Sequence, residues 1–306
     1  MAEVCRKEFI GAIIAGLSVG GTASEAKASA TEARHDLGGG KVICLSNRSR
    51  SQMFSAVFVS PAGKVAVVDG GFFGDGDNLR SVLTSLGGKV DYWFFTHAHC
   101  DHFGAFVSMA EKGLERSGIR IGKLVFSFPE SDWLQKAEPA RAPHVQRFFA
   151  VLEKTSKWLP TERHPKGTTY DLGGGWTVKS LNDPSLERPS INDTSVCLSI
   201  MTGARKWLVT GDIGPHVGRR LVSELGTDLE HEFVFMSHHG QNGADKRFYA
   251  AVKPQVAIWP TPEWLWNNDS GKGPGSGPFN TNYTKCWLQE LKVRQQYVLI
   301  HDVTFV

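Results

Sequence analysis

Thr96-His97-Ala98-His99-Cys100-Asp101-His102 places four side chains able to bind metal within six residues. The stretch follows an apolar, strand-like run at 90–95. It precedes a run of helical spacing at 103–112 that Gly113 stops. Imidazole suits zinc, iron, copper or nickel, and a carboxylate widens that range. An extended His97-Ala98-His99 step sets both imidazoles on one side, because strand side chains alternate. The turn into the helix then aims Asp101 and His102 at a neighbouring point. That arrangement suits two metals side by side better than one. A single loop histidine would call for no such reading, but four ligands at this spacing do. Cys100 sits between two ligands on a backbone that turns it away, and reads as packing.

Three further segments extend the pattern along the chain. The apolar run 65–68 leads into Asp69-Gly70-Gly71. Leu208-Val209-Thr210-Gly211-Asp212 ends another apolar run. Residues 233–237 are followed by His238-His239-Gly240. Taken in this order, with His-x-His-x-Asp-His at their head, the segments resemble the metallo-β-lactamase superfamily over residues 53–259. The resemblance implies an α/β fold, an αββα sandwich of two mixed sheets with helices on the outer faces. It implies that Asp69 supports the histidine loop from behind the ligands, a role with a physical basis. It also implies that Asp212 bridges two metals and that one histidine of the His238-His239 pair is the last ligand.

One departure from the family pattern matters. Many members carry a further metal-binding histidine between the His motif and the "TGD" strand end. His144 and His164 fall in that interval, but neither follows a Gly-rich strand end, and both read as surface residues. Ile191-Asn192-Asp193-Thr194-Ser195 occupies the corresponding place. It resembles the Asn-x-x-Ser segment of ComEC-type competence proteins and phosphorylcholine esterases, which share the His-His-Gly ending. Unlike the competence proteins, this chain shows no transmembrane bundle. On that resemblance, His97, His99 and Asp212 hold metal one, with Asn192 or water completing its shell. Asp101, His102, Asp212 and one histidine hold metal two. His238 is the expected ligand because it comes first after the strand, leaving His239 to face substrate. The catalytic set is then Asp101, which orients the nucleophile, with His239 and Asn192 as donors to the leaving oxygen or oxyanion. The cofactor is two divalent metal ions, zinc first, with manganese or iron as alternatives. They would activate a shared water as nucleophile.

The rest of the chain sets the frame. Strand signals fall at 41–45, 53–59, 64–68, 90–95 and 124–128, and again at 176–181, 195–201, 206–209, 232–236, 256–259 and 296–300. Helical runs fall at 78–86, 103–112, 145–158, 217–225, 246–252 and 284–291. Each half runs from strands into alternating strand and helix. Two sheets face to face with helices outside satisfy this, although periodicity alone does not separate it from other α/β layerings. Residues 29–40 read as a linker and 41–306 as one hydrolase domain.

Residues 1–28 read as an export signal. Arg6 and Lys7 precede an apolar stretch at 9–19, too short for an ordinary membrane span, and Ala26-Lys27-Ala28 is a cleavage candidate. A periplasmic or extracellular protein is the expectation. The 306 residues are 41% hydrophobic and 21% charged, as in an ordinary globular protein. A net charge of +3 with no basic run gives no strong nucleic-acid signature. Cys44, Cys100, Cys197 and Cys286 form no C-x-x-C pair, which excludes zinc-ribbon and thioredoxin readings, and free buried thiols are expected. Trp264 and Trp266 precede a glycine-rich loop and read as packing rather than a stacking wall. His35, His216 and His231 lack motif context and read as surface residues.

Hydrolysis of a phosphoester or phosphodiester, on a small molecule or a polymer, is the reaction the subgroup implies. Amide, lactone or β-lactam hydrolysis is the alternative enzyme, disfavoured by the missing histidine. A metal-binding module without turnover is the alternative outside enzymes.

Overall fold

A computed structural model of the chain describes residues 31–306. In chain order the elements are β1 (Thr31–Ala33), β2 (Lys41–Cys44), β3 (Ser55–Val59), β4 (Val65–Asp69), α1 (Gly76–Ser85), β5 (Lys89–Val90) and β6 (Tyr92–Phe95). Then come α2 (Cys100–Glu111), α3 (Leu114–Ser117), β7 (Arg120–Ile121), β8 (Leu124–Phe126), α4 (Ser131–Ala137), α5 (Ala142–Thr155) and β9 (Thr161–Glu162). The second half holds β10 (Thr169–Gly173), β11 (Trp176–Ser180), β12 (Leu198–Thr202), β13 (Arg205–Val209), α6 (Pro215–Leu225), β14 (Phe233–Phe235) and α7 (Lys246–Val252). It closes with β15 (Val256–Trp259), α8 (Glu263–Trp266), α9 (Thr281–Glu290), β16 (Gln295–Val298) and β17 (Val303–Phe305).

Two large mixed sheets result. One runs β1-β17-β2-β3-β4-β6-β8-β9, the other β10-β11-β12-β13-β14-β15-β16. In each, an antiparallel meander passes into parallel strands, at β4–β6 in the first and at β13–β14 in the second. The parallel strands are covered on both faces, so they read as near-continuous apolar runs. Alternation sorts their side chains. Phe94 enters the core between the sheets, while Trp93 and Phe95 face the helices α1, α2 and α5. Trp207 and Val209 likewise face inward, while Leu208 packs toward α6 and α7. Trp207 stacks on Phe233 at 3.9 Å between ring centroids, joining neighbouring strands at the centre of the inter-sheet core. With helices on both outer faces, this is the αββα sandwich.

The structure departs from the sequence reading in several places. Of the expected linker, residues 31–40 pack onto the domain instead. Thr31–Ala33 pairs parallel with β17, and Ala33 and Leu37 are buried in the inter-sheet core. Polar composition hid this, because β1 is a short edge strand whose pairing comes from the far end of the chain. The last strand is β17, beyond the one expected at 296–300, and it returns to the first sheet between β1 and β2. Helix α2 begins at Cys100, so Asp101 and His102 lie in its first turn rather than before it. The expected export signal at 1–28 lies outside the described residues. Among the described residues no helix is long and apolar enough to cross a membrane. Cys44, Cys100 and Cys197 are free and buried, whereas Cys286 is disulfide-bonded.

Candidate metal centre

The histidine loop leaves β6 at the edge of the inter-sheet core and turns into α2. Asp69, at the end of the neighbouring β4, fixes it. Its Oδ1 accepts the Thr96 backbone N–H at 2.8 Å, and its Oδ2 accepts the Thr96 hydroxyl at 2.8 Å. The same Oδ2 lies 2.7 Å from His102 Nδ1. The Thr96 hydroxyl, having given its proton to Asp69, accepts from His97 Nδ1 at 3.1 Å. His99 is turned the other way: its Nε2 lies 2.9 Å from Glu138 Oε2, and its Nδ1 lies 3.2 Å from His97 Nε2. Asp101 takes a hydrogen bond from the Gln52 side-chain amide at 3.2 Å, and Gln52 in turn accepts one from Gln241 at 2.8 Å.

Asp212 comes to the same point from the second sheet, just beyond β13. Gly211 before it has φ +53°, and a Cβ there would lie 2.7 Å from Ser195 Oγ, so only glycine fits the turn. Ser195 Oγ donates to the Asn192 carbonyl at 2.8 Å and accepts the Asp212 backbone N–H at 3.0 Å. The Asn-x-x-Ser segment thus braces Asp212.

Past β14 the backbone does not continue extended. His238 (φ 50°, ψ 48°) and His239 (φ 55°, ψ 23°) are both left-handed, a conformation that side chains with a Cβ adopt at a cost. Ser237 holds this turn, donating its hydroxyl to the Ile213 carbonyl at 2.7 Å, and the Thr261 hydroxyl donates to the His239 carbonyl at 2.6 Å. His239 Nδ1 lies 2.9 Å from the Pro260 carbonyl. Its Nε2 faces Asp101 Oδ2 at 3.3 Å and Asp212 Oδ2 at 3.5 Å.

Two ligand groups emerge among the described residues, each with its donor atoms within 4.8 Å of one another. One is Asp101, His102, Asp212 and His239. The other is His97, His99 and Asp212. Asp212 belongs to both. The family model of the metallo-beta-lactamase superfamily matches residues 54–259. The chain belongs to the metallo-β-lactamase superfamily. ComE operon protein 3 of Bacillus subtilis (strain 168) is 23% identical over 224 residues, 65% of this chain, of which this chain spans only 28%. Among solved structures, the metallo-beta-lactamase fold protein YhfI from Bacillus subtilis superposes with a TM-score of 0.50 at 10% identity. The match covers 85% of this chain and 96% of that one. CmlA, a diiron beta-hydroxylase from Streptomyces venezuelae, superposes with a TM-score of 0.52 at 12% identity, covering 87% of this chain and 53% of that one. These two likenesses concern the fold alone.

The donors of this superfamily member fit metal ions on a chemical ground. Among the described residues, His102 Nε2, His239 Nε2 and Asp212 Oδ2 are buried and complete no hydrogen bond, although the two nitrogens face carboxylate oxygens at 3.3–3.5 Å. Buried polar atoms left so are costly and rare. Meanwhile the outward nitrogen of every imidazole in the two groups has an acceptor: the Thr96 hydroxyl, Glu138, Asp69 and the Pro260 carbonyl. A carbonyl or carboxylate can only accept, which puts the proton on that outward nitrogen and leaves the inward lone pair for a ligand.

The electrostatics of the protein alone point the same way. Burial pulls His102 down, but Asp212 and Asp69 outweigh it and hold the imidazole well above its ordinary range. Burial also lowers His239, yet Asp212 and Asp101 bring it up to about 9. Asp101 and Asp212 are correspondingly held well below the usual carboxylate range despite burial, which raises them. His97 is driven well below 6.5 by burial and by the neighbouring His102. The cluster therefore holds protons where cations of higher charge would sit.

His97, His99, Asp101, His102 and Asp212 meet as the sequence pattern suggests, and Asp69 lies behind them. The order of the histidine pair is reversed. His239, not His238, joins the four-residue group, while His238 sits at the rim with its side chain 20% exposed and Nε2 3.9 Å from Asp212. The left-handed turn is the reason, because it rotates the second imidazole inward. Asn192 leaves its side-chain Oδ1 buried without a partner among the described residues. Two histidines expected at the surface are buried instead. His164 hydrogen-bonds Ser180 at 3.0 Å and His231 hydrogen-bonds Ser199 at 2.8 Å; burial takes both down to about 4. Glu138, Gln52 and Gln241 carry no motif and were not legible at the site. Trp264 donates its indole N–H to the Arg50 carbonyl at 3.2 Å and meets Phe279 edge-on at 5.2 Å, tying two loops together.

Proposed function

We propose that this chain is an exported metallohydrolase using two divalent metals, most simply zinc, to cleave a phosphoester or phosphodiester. The observation that carries it is the pair of ligand groups sharing Asp212, with buried atoms on His102, His239 and Asp212 that complete no hydrogen bond among the described residues. His97, His99 and Asp212 would hold one ion. Asp101, His102, Asp212 and His239 would hold the other. Ions held there would supply Lewis-acid polarisation of a substrate oxygen and would bring the pKa of bound water to about 7.

The protein's own residues do the rest. Asp101, fixed by Gln52, orients the attacking water. His238, neutral at pH 7 because burial lowers it, can offer a ring N–H to the substrate's leaving oxygen from the rim. Asn192, whose side-chain oxygen has no partner among the described residues, can complete the three-residue position or orient substrate. The turn at Ile191–Ser195, standing where many relatives carry a third histidine, favours a phosphoester over an amide or β-lactam. The basic start, apolar run and A-x-A site of residues 1–28 support export.

The test is a substrate screen on purified protein loaded with zinc or manganese. Bis-p-nitrophenyl phosphate and p-nitrophenyl phosphorylcholine should be hydrolysed and nitrocefin should not. Turnover of nitrocefin alone would reverse the substrate class. No turnover with two metals bound would leave a binding module.

A further inference from the structure

Glu138 has no place in the ligand groups, yet it touches one of them. Its Oε2 lies 2.9 Å from His99 Nε2, on the far side of the ring from the nitrogen that faces His97. Its Oε1 accepts the Ile191 backbone N–H at 2.9 Å, so the carboxylate is held at both oxygens. Ile191 begins the turn in which Ser195 Oγ joins the Asn192 carbonyl to the Asp212 N–H. One five-residue turn is thus tied through Glu138 to His99 and through Ser195 to Asp212. Those are two of the three side chains of the three-residue group.

His99 is also the odd imidazole of the set. His97, His102 and His239 turn Nε2 inward, with Nδ1 on an acceptor. His99 turns Nδ1 inward and depends on Glu138 to take the other proton. The partner on the far nitrogen decides which tautomer, and which ring orientation, a ligating histidine presents. A position with only three protein side chains has little redundancy, so the orientation of each matters more.

We infer that Glu138 is a positioning residue for the three-residue metal position: it fixes His99 to ligate through Nδ1 and, with the Ile191–Ser195 turn, takes over the ordering that a third histidine ligand would provide. This rests on the two-metal reading above. Glu138 would not itself be a ligand, since it meets His99 at Nε2, away from the Nδ1 that faces His97.

The experiment is zinc titration of the full protein, monitored by competition with a chromophoric chelator, for the wild type, Glu138→Ala and Glu138→Gln. The wild type should bind two zinc ions per chain. In E138A one ion should stay tight, held by Asp101, His102, Asp212 and His239, while the affinity for the other falls about 10- to 100-fold. In E138Q the single amide oxygen can satisfy His99 or Ile191 but not both, so an intermediate loss is expected, and its near-isosteric shape keeps the test usable should E138A fold poorly. In cobalt-loaded protein, the exchangeable ring N–H resonance of His99 should be present in the wild type and broadened by faster exchange in E138A. Two ions bound by E138A with wild-type affinity would overturn the inference and leave the two-metal reading intact. Equal weakening of both ions would overturn it too, because it would mark a merely structural role. A wild type that binds no zinc would sink the two-metal reading itself.

Discussion

Asp69→Asn is the substitution whose consequence the hydrogen bonds specify most fully. Asp69 is fully buried and accepts three donors: the Thr96 N–H, the Thr96 hydroxyl and His102 Nδ1. Asparagine keeps one accepting oxygen and turns the other into an N–H donor. The backbone N–H of Thr96 cannot reverse, so it claims the oxygen. The new amide N–H then faces His102 Nδ1, which must give up its proton and carry it on Nε2 instead. Nε2 is the nitrogen that faces Asp212 at 3.3 Å and would ligate. If the tautomer does not switch, a buried donor is left unpaired, at about 1–3 kcal/mol. If it does, loss of such a supporting partner costs about 10- to 100-fold in metal affinity, or roughly 1.4–2.7 kcal/mol. Both routes give a loss of similar size. The loss should fall on the four-residue position, the opposite of the Glu138→Ala pattern. Chelator-competition titration with zinc measures it, and circular dichroism shows the fold retained. D69N with both zinc affinities within about twofold of wild type would refute the reasoning, since a tenfold loss is the least the tautomer argument allows.

Four more outcomes are expected. Asp212→Ala removes the carboxylate common to both groups, so metal content should drop below two per chain and phosphodiesterase activity should fall by orders of magnitude; two retained metals with full turnover would contradict the shared-ligand scheme. His239→Ala should lose one metal, whereas His238→Ala should keep both and lower kcat, which metal analysis of the two variants separates directly. Zinc must displace the protons on His102 and His239, so apparent affinity should rise with pH until His239 deprotonates near 9, with protons released on binding that calorimetry in two buffers would count. In the metal-free protein the sign is opposite. His239, raised from 6.5 to about 9, adds stability present below 6.5 that is lost as pH climbs through 9, so metal-free denaturant midpoints should fall across that window.

The sequence made the centre of this site legible because its ligands are local. Four of them lie in one strand-to-helix turn, while Asp69 ends one apolar strand and Asp212 lies just past another. Adjacent strands of a buried sheet also read clearly, since runs such as 92–95 and 233–235 are apolar on both faces. What escaped depends on geometry or distance. The choice between His238 and His239 turns on two consecutive left-handed residues, and nothing in Ser-His-His-Gly announces that the second has φ 55°. Glu138 acts across 39 residues and Gln52 across 49, each from a polar stretch without pattern. The edge strand β1 draws its order from β17, some 270 residues away, so its own small polar residues look like a tether.

The metal content of purified, metal-replete protein, measured by elemental analysis after removal of free ions, tests the two-metal centre most directly. Two tightly held divalent transition-metal ions per chain are predicted. A protein that retains none, while remaining folded, would contradict it.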